Sequence, residues 1–415
     1  MSAFSIPLSG LAATSASLNV IANNLANLNT DGYKDQSLDF SSVFNQVQGT
    51  SGNGDPIQIG NGVQIDGTTS NFSNGNVSST GIASNMALQG NGFFIVQGNN
   101  QTLYTRTGNF TVNSQGQITT PEGQLVMGFP AVNGVVQTSA VLAPIEVNSA
   151  NSIPASATTN FQMTTNLDAQ SATGTTYSSP ITVYDSLGES HTLTVTYTNM
   201  GGNAWDYSIS VPAADQTAPA GPVATGTLAF NSAGQLTNVN GSGAVQNVDI
   251  TIPGLSDGAA NLALTWTLAG ANGGAPPITQ EAAASATSAN TQNGFASGSL
   301  TGFSILPDGT VQGQFSNNQT LALGQVAIAS FANNQGLTQV GGNDYQANYA
   351  SGSPVVGQAG VGGNGTITGG AVEESNVNLS TEFANMIVAQ QGYEANAKVL
   401  TTLDQVSQAT LQVLS

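Results

Sequence analysis

The sequence predicts a mainly β chain with α-helical termini: nested small β domains or barrels, with the N- and C-terminal segments paired as a coiled coil. Three observations carry this. Apolar residues recur at heptad spacing at the two ends and not between them. From about residue 50 to 370 the period is two, as in Val63/Ile65, Leu193/Val195/Tyr197 and Val326/Ile328. Fifty glycines punctuate the middle, many in turn pairs such as Asn74-Gly75, Gln115-Gly116, Asp257-Gly258 and Asp308-Gly309.

At the N-terminal end, Leu11, Leu18, Ile21, Leu25 and Leu28 form one seam, with Thr14 as its polar member. Pro7 suits a first helical turn, and Thr30-Asp31-Gly32 supplies a stop. The predicted helix is about 22 residues, or roughly 33 Å. At the other end, Phe383, Met386, Tyr393, Ala397 and Leu400 share a seam through Gln390, with Leu403 and Val406 beside it. Asn378 is a candidate N-cap, and Glu373, Glu374 and Glu382 lie near the positive end of the helix dipole. Gly392 is the weak spot. Helices of this length are marginal alone in water. Their seams therefore predict that the two helices pack together and then on the same helices of neighbouring copies, or that they close one monomer as a hairpin.

Between the helices, Gln48–Gly54 and Ala271–Asn293 read as linkers, and Gly357–Gly370 as a glycine-rich lead into the last helix. No repeat of fixed period is present, which argues against a solenoid or propeller.

Charge narrows the class of function. Only 6% of residues are charged, against roughly a quarter in ordinary soluble domains. Lys34, Arg106 and Lys398 are the only basic side chains against 22 acidic ones, for a formal charge of -19. That composition excludes a phosphate-neutralising surface and disfavours anionic membranes, so neither nucleic acid nor membrane insertion is expected. The absence of cysteine excludes disulfides, thiolate catalysis and zinc–thiolate sites. No stretch reads as approaching a transmembrane helix, and the first thirty residues show no signal-peptide pattern.

Few residues suggest chemistry, and no cofactor, metal or catalytic site is predicted. His191, the only histidine, follows a turn at the head of an alternating strand and reads as structural or exposed. Gly360-Val361-Gly362-Gly363-Asn364-Gly365 fits a nucleotide-loop pattern by letter, but no helix follows it. Aspartates beside glycines lack the spacing of calcium loops. Arg106 is expected to pair with a carboxylate within the middle domain. The candidate site is instead one of assembly. It comprises Leu11, Leu18, Ile21, Asn23, Asn24, Leu25, Asn27 and Leu28 on the first helix, and Phe383, Met386, Tyr393, Ala397, Leu400 and Leu403 on the second. Asn23, Asn24 and Asn27 are poor helix formers in a predicted helix, which suggests hydrogen bonds between subunits or, more plainly, solvated positions and a kink.

The segment Ala22-Asn23-Asn24-Leu25-Ala26-Asn27-Leu28-Asn29-Thr30-Asp31-Gly32-Tyr33-Lys34 resembles the N-terminal signature of the bacterial flagellar axial proteins of rod, hook and hook-associated type. Glu374 to Leu379, then Glu382-Phe383, Met386-Ile387, Gln390, Tyr393, Ala395-Asn396 and Lys398, is similar to their C-terminal end. Gly90–Val96 and Tyr104–Phe110 resemble the first-half β motifs of the family. Gly324–Ala329, with Phe331-Ala332-Asn333, resembles its returning half. Val183–Gly188 with His191-Thr192-Leu193 is similar to the outer domain of hook-type members; from about 205 to 290 nothing is recognisable.

The resemblance implies a structural subunit, not an enzyme, that polymerises with itself into a flexible hollow tube and passes motor torque to a filament. It implies flagellar rod, hook-cap and hook–filament junction proteins and the export apparatus as partners. The expected location is extracellular, in the basal body and hook, reached without a cleaved signal. The expected organisation is a helical core of 1–34 plus 372–415, a connector of 35–69, a middle β domain of 70–145 plus 291–365, and an outer inserted β domain of 146–290. The alternatives are a distal rod or hook-associated protein, which the insert disfavours, and a secreted acidic β-rich adhesin, which would not need helices at both ends. The terminal helices are expected to be disordered in a free monomer.

Overall fold

The computed structural model describes residues 4–44, 46–50, 56–98, 101–148, 152–217, 221–270 and 274–414. It is mainly β, with one long helix at each end. The chain divides into two units: Met1–Asn148, Gly302–Gln314 and Thr320–Ser415 form the first, and Ser149–Thr301 and Phe315–Gln319 the second.

In the first unit, α1 (Ser5–Ala26) and α2 (Leu379–Leu414) pack against each other. Pro7 sits in the first turn of α1, where its missing N–H costs nothing. Asn378 caps α2, its Oδ1 accepting from the backbone N–H of Ser380 at 3.0 Å and Thr381 at 3.2 Å. The pairing is antiparallel, with Gly10 facing Asn396 and Thr14 facing Gly392. A Cβ on Gly392 would lie 3.2 Å from Thr14 Cγ2, and one on Gly10 2.8 Å from Asn396 Nδ2. Gly392 is thus no defect in α2: like Gly10 in α1, it leaves room for a side chain of the facing helix. With 36 residues against 22, α2 outreaches α1 by roughly 20 Å.

One sequence expectation changes here. By length and composition, α1 is long and apolar enough to cross a membrane. Its seam leucines are diluted by Ser, Thr, Ala and Asn, which hides the run from inspection, and the helix packs on α2.

The β part of this unit is knitted from both halves of the chain. Phe93–Gly98 pairs with Gln101–Thr105 and Leu125–Val132, and Thr320–Ser330 returns to pair with Leu125–Val132 and with Phe93–Gly98. Val326 and Ile328 are fully buried, as the alternation predicts, but so are Ala327 and Ala329. The strand is covered on both faces: one core holds Phe94, Phe110 and Ile328, the other Phe93, Tyr104 and Tyr345. Thr366–Gly369 pairs with Met86–Gln89, and Ala371–Glu373 with Val77–Ser79.

The second unit is two five-stranded sheets around one core. Thr176–Tyr184, Ser190–Gly201, Ala204–Ser210, Ala224–Phe230 and Leu236–Val239 run antiparallel in sequence order. The other sheet is mixed, its Asn160–Asp168 strand parallel to Leu262–Trp266 and Ile278–Glu281 and antiparallel to Ala286–Gln292. Leu193, Val195 and Tyr197 alternate inward on Ser190–Gly201. They meet Trp205 and Trp266 in the core, where Tyr207 packs edge-on against Trp266 at 5.3 Å.

The predicted linkers contain strands. Ile278–Glu281 and Ala286–Gln292 lie within the supposed linker 271–293. Ala286–Gln292 is exposed along most of its length, so its pairing with Asn160–Asp168 needs no apolar alternation and the sequence reads as low complexity. Residues 46–50 pair with Pro56–Ile59, while the remaining part of the 48–54 segment, 51–54, lies outside the described residues. Gly357–Gly370 contributes Thr366–Gly369 to the β core, with Gly360, Gly362 and Gly363 at positive φ in the turn before it.

Candidate assembly site

Beneath the helices, the two ends of the chain interlock. After α1 the chain reverses through Gly32, at φ 67°, where a Cβ would come within 2.7 Å of Thr107 N. Only glycine fits there. Gly32 N–H then donates to Glu373 O at 2.7 Å, and Asp35 N–H donates to Asn376 Oδ1 at 2.7 Å. Asn376 Nδ2 in turn donates to Asn71 O and Ser73 O.

Two of the three basic residues are buried in this clasp. Lys34 Nζ donates to Glu373 Oε1 at 2.6 Å and to Ser73 O at 2.8 Å, and Gly75 N–H donates to the same Glu373 oxygen. Arg106 reaches Glu373 Oε2 at 3.7 Å, donates to Leu88 O and Gly90 O, and lies over the Phe93 ring. Its carboxylate partner is within the chain but outside the expected middle domain of 70–145 plus 291–365: Glu373 comes from the strand just before α2. Burial pushes the Lys34 ammonium below its ordinary pKa; Glu373 works against the shift and Arg106 with it. Burial likewise lowers Arg106, against the pull of Glu373.

Asn24 is the hub between helix and clasp. It is 1% exposed. Its Nδ2 donates to Asp35 Oδ1 at 2.6 Å, Gln36 O at 2.8 Å and Glu382 Oε2 at 3.4 Å. Its Oδ1 accepts from Tyr33 Oη–H and Gln36 N–H. The suggestion that this asparagine bonds a neighbouring subunit is therefore replaced by a role within the chain: its hydrogen-bonding capacity is already filled. Asn27 donates back to Asn23 O, and Asn23 Nδ2 donates to Tyr33 Oη, so these two also act locally. Burial, with Asp35 nearby, raises the Tyr33 hydroxyl to about 12.

The remaining candidate residues divide by face. Ile21 is buried; Leu11, Leu18, Leu25, Leu28, Met386, Ala397, Leu400 and Leu403 are half-buried. Phe383 and Tyr393 point to solvent, 50% and 43% exposed. The face of α2 that meets α1 runs instead through Glu382, Ala389, Gly392 and Asn396. Further apolar residues of α2 are exposed: Val406, which the sequence placed beside the seam, Leu411 in line with it, and Ile387, Val388 and Val399, which the seam did not include. A groove of about 480 Å³ opens between α1, α2 and Gln36–Ser42, lined by Val20, Leu38, Phe40 and Val388 among others.

The whole chain matches known proteins in the same order as these features. Residues 6–34 match the flagella basal body rod protein model, and 87–185 the flagellar hook protein FlgE/F/G D1 domain. Residues 149–295 match the flagellar basal body protein FlaE D2 domain, and 368–413 the C-terminal model of flagellar basal body rod FlgEFG proteins. The chain is 35% identical to the flagellar hook protein FlgE of Escherichia coli K12, over 97% of this chain and 98% of that one. The chain belongs to the flagellar hook protein family.

As a hook protein it is a structural subunit of the flagellum. It is also 29% identical to the FlgE of Treponema pallidum, over 98% of both chains. A crystal structure of Helicobacter pylori flagellar hook protein FlgE2 shares the fold, with a TM-score of 0.51 at 14% identity, covering 70% of this chain and 98% of that one. In hook-family terms, the clasp is where the N- and C-terminal model matches meet: residues 32–35 bond to residues 373–376.

The second unit holds one surprise. His191, read as structural or exposed, is buried, and its ring lies among Asp185, Asp215 and Asp257. Asp215 and Asp257 are far from it in sequence, so its surroundings could not be read from the strand alone.

Proposed function

We propose that the chain polymerises with itself through the open apolar face of α2 and the groove beside α1, forming a flexible hollow tube that passes motor torque to a filament. The observation that carries this is the exposed pair Phe383 and Ile387, one helical turn apart on α2, with further exposed apolar side chains at Val388 and Tyr393. Covering such side chains stabilises by about 25 cal/mol per Å² of apolar area removed from water. The terminal helices are the assembly module in this reading, and Leu11, Leu18, Leu25, Leu28, Met386, Ala397, Leu400 and Leu403 complete its seams. The β surfaces are rich in uncharged Asn, Gln, Ser and Thr, whose hydrogen bonds, each worth about 1 kcal/mol or less net, exchange readily as the tube bends. The role is structural and not catalytic. Rod, cap and junction proteins with related helical ends are the natural neighbours, and export of the unfolded chain without a cleaved signal suits a sequence free of cysteine.

Electron microscopy of the purified chain at rising concentration, beside the doubly substituted F383D/I387D chain, tests the reading. Tubes from the unsubstituted chain and folded monomers from the variant are expected. Equal polymerisation of both would exclude this face as the assembly surface.

A further inference from the structure

Three loops meet at one place in the second unit: the turn 185–189 between Thr176–Tyr184 and Ser190–Gly201, the 3-10 turn Ala213–Asp215, and the loop 253–261 between Val248–Ile252 and Leu262–Trp266. They are tied together by backbone and side-chain bonds, among them Ser256 N–H to Asp215 O, Ser256 Oγ to Ala214 O, and Ala260 N–H to Ser186 Oγ. Each loop delivers one aspartate to His191. Asp185 Oδ2 lies 3.1 Å and Asp257 Oδ2 3.9 Å from Nε2, while Asp215 Oδ2 lies 3.1 Å from Nδ1.

The arrangement carries more negative charge than the protein can answer. No lysine or arginine occurs between residues 149 and 301. A fully protonated imidazole offsets one of three carboxylates, and the Asp185 side chain has no exposure to water. Its Oδ1 is already held by the N–H groups of Leu187 and Glu189, so only Oδ2 is turned to the imidazole. Asp257 Oδ2, at 3.9 Å, is beyond hydrogen-bonding distance of Nε2. Yet Nε2 and one oxygen each of Asp185 and Asp257 converge within 4.8 Å of one another. The Asp185 contact is of hydrogen-bond length, but the approach of a second carboxylate to the same nitrogen suits a shared cation as well as a shared proton. Ligands of a divalent metal bound at about 2.0–2.2 Å stand roughly 3–4 Å apart, which matches the 3.1 and 3.9 Å separations.

Asp215 completes the pattern from behind. Its carboxylate takes the Nδ1–H bond that orients metal-bound histidines in general, while Nε2, within 3.1 Å of Asp185 Oδ2, holds a proton that a metal would displace. Asp215 and Asp257 side chains are 28% and 25% exposed, so the cluster opens to solvent and gives an ion a way in.

We propose that His191 Nε2, Asp185 Oδ2 and Asp257 Oδ2 bind a divalent transition-metal cation of the zinc or manganese class, with Asp215 as the positioning residue. A nitrogen donor with two carboxylates favours these ions over calcium, which takes oxygen ligands. Bound there, the ion ties the turn 185–189 and the loop 253–261 to the strand that carries His191 and stiffens that end of the second unit. This site is independent of the helices that carry assembly.

The test uses the full chain stripped with EDTA and titrated calorimetrically with zinc or manganese chloride alone, with calcium chloride for comparison. One equivalent of zinc or manganese per chain and a rise in melting temperature that EDTA reverses are expected. Asp257→Asn, at a part-exposed position, should weaken binding at least tenfold and His191→Gln abolish it, while Asp249→Asn on a neighbouring strand leaves it unchanged. Cobalt substitution should give visible bands that shift in Asp215→Asn. Absence of saturable zinc or manganese binding, or binding equal in Asp257→Asn and the unsubstituted chain, overturns the proposal. Should His191→Gln fail to fold, the Asp257→Asn comparison alone decides.

Discussion

Lys34 Nζ lies 2.6 Å from Glu373 Oε1 with both side chains out of solvent, joining the segment that follows α1 to the strand that precedes α2. Arg106 adds a second cation to the same carboxylate. A buried pair contributes little over an apolar replacement, but removing one member leaves uncompensated charge. Glu373→Gln strands two buried cations and should destabilise the first unit by about 3–5 kcal/mol, measured by urea unfolding. The double variant K34M/E373Q should lose less than the sum of the two single variants; strict additivity would show that the pair is not coupled.

The contact of Gly392 with Thr14 gives a second prediction. Glycine to alanine in a helix interior ordinarily stabilises by about 1 kcal/mol. Here the new methyl would stand 3.2 Å from Thr14 Cγ2. Thr14 Oγ1–H donates to Gly10 O at 2.8 Å, which holds the rotamer. Gly392→Ala should therefore fail to gain that stability, and G392A paired with T14A should recover most of it. Thermal unfolding followed by the helical circular-dichroism signal measures both; a full gain in G392A alone would mean that the helices part freely.

Asp344 gives the first unit a pH-dependent contribution to stability. It is 6% exposed and accepts from Gln124 Nε2 at 2.6 Å. Burial raises its carboxyl pKa, and the hydrogen bonds from Gln124 and Thr105 oppose this only in part. The folded state thus holds this proton more tightly than the unfolded state. Stability from this group is absent at neutral pH, appears as pH falls through the raised pKa, and is complete below the ordinary carboxylate value of about 3.9. The stability of the unsubstituted chain relative to Asp344→Asn should rise on acidification across that window. A difference that falls or stays flat between pH 7 and 4 counts against the assignment.

Salt should favour assembly. A chain of net charge -19 repels its own copies, while the proposed contact face is apolar and little weakened by ions. Raising sodium chloride from about 0.02 to about 0.2 M, which shortens the screening length severalfold, should lower the concentration at which tubes appear by light scattering. A rise in that concentration would point to ion pairs as the main contacts.

How much of this was legible depended on whether a feature has a sequence period. The helical ends and the strand Ser190–Gly201 announce themselves because burial on one face imposes a repeat, and Asn378 was readable as a cap from its place before a seam. Ala286–Gln292 was not, since a strand stabilised by backbone pairing and exposed on most of its surface has no repeat to show. The open face of α2 was half visible: Phe383 and Tyr393 lie on the heptad seam, but the helix turns a different set of residues toward α1, namely Ala389, Gly392 and Asn396. The clasp could not be read at all. Lys34, Arg106 and Glu373 are distant in sequence and are brought together only when the two halves of the β core close. The same holds for His191, whose three aspartates come from three loops.

Burial of Lys34 and Arg106 also decides how the folded subunit meets digestive enzymes. Trypsin-like proteases cut after lysine or arginine, and of the three such residues only Lys398 is presented at the surface. It lies on α2, whose own turns hold the neighbouring peptide bond out of an extended conformation. While the clasp is closed, the stretch from residue 1 to 397 offers these enzymes no accessible basic residue to cut after. Even when unfolded, the chain would leave 107–398 as one uncut fragment.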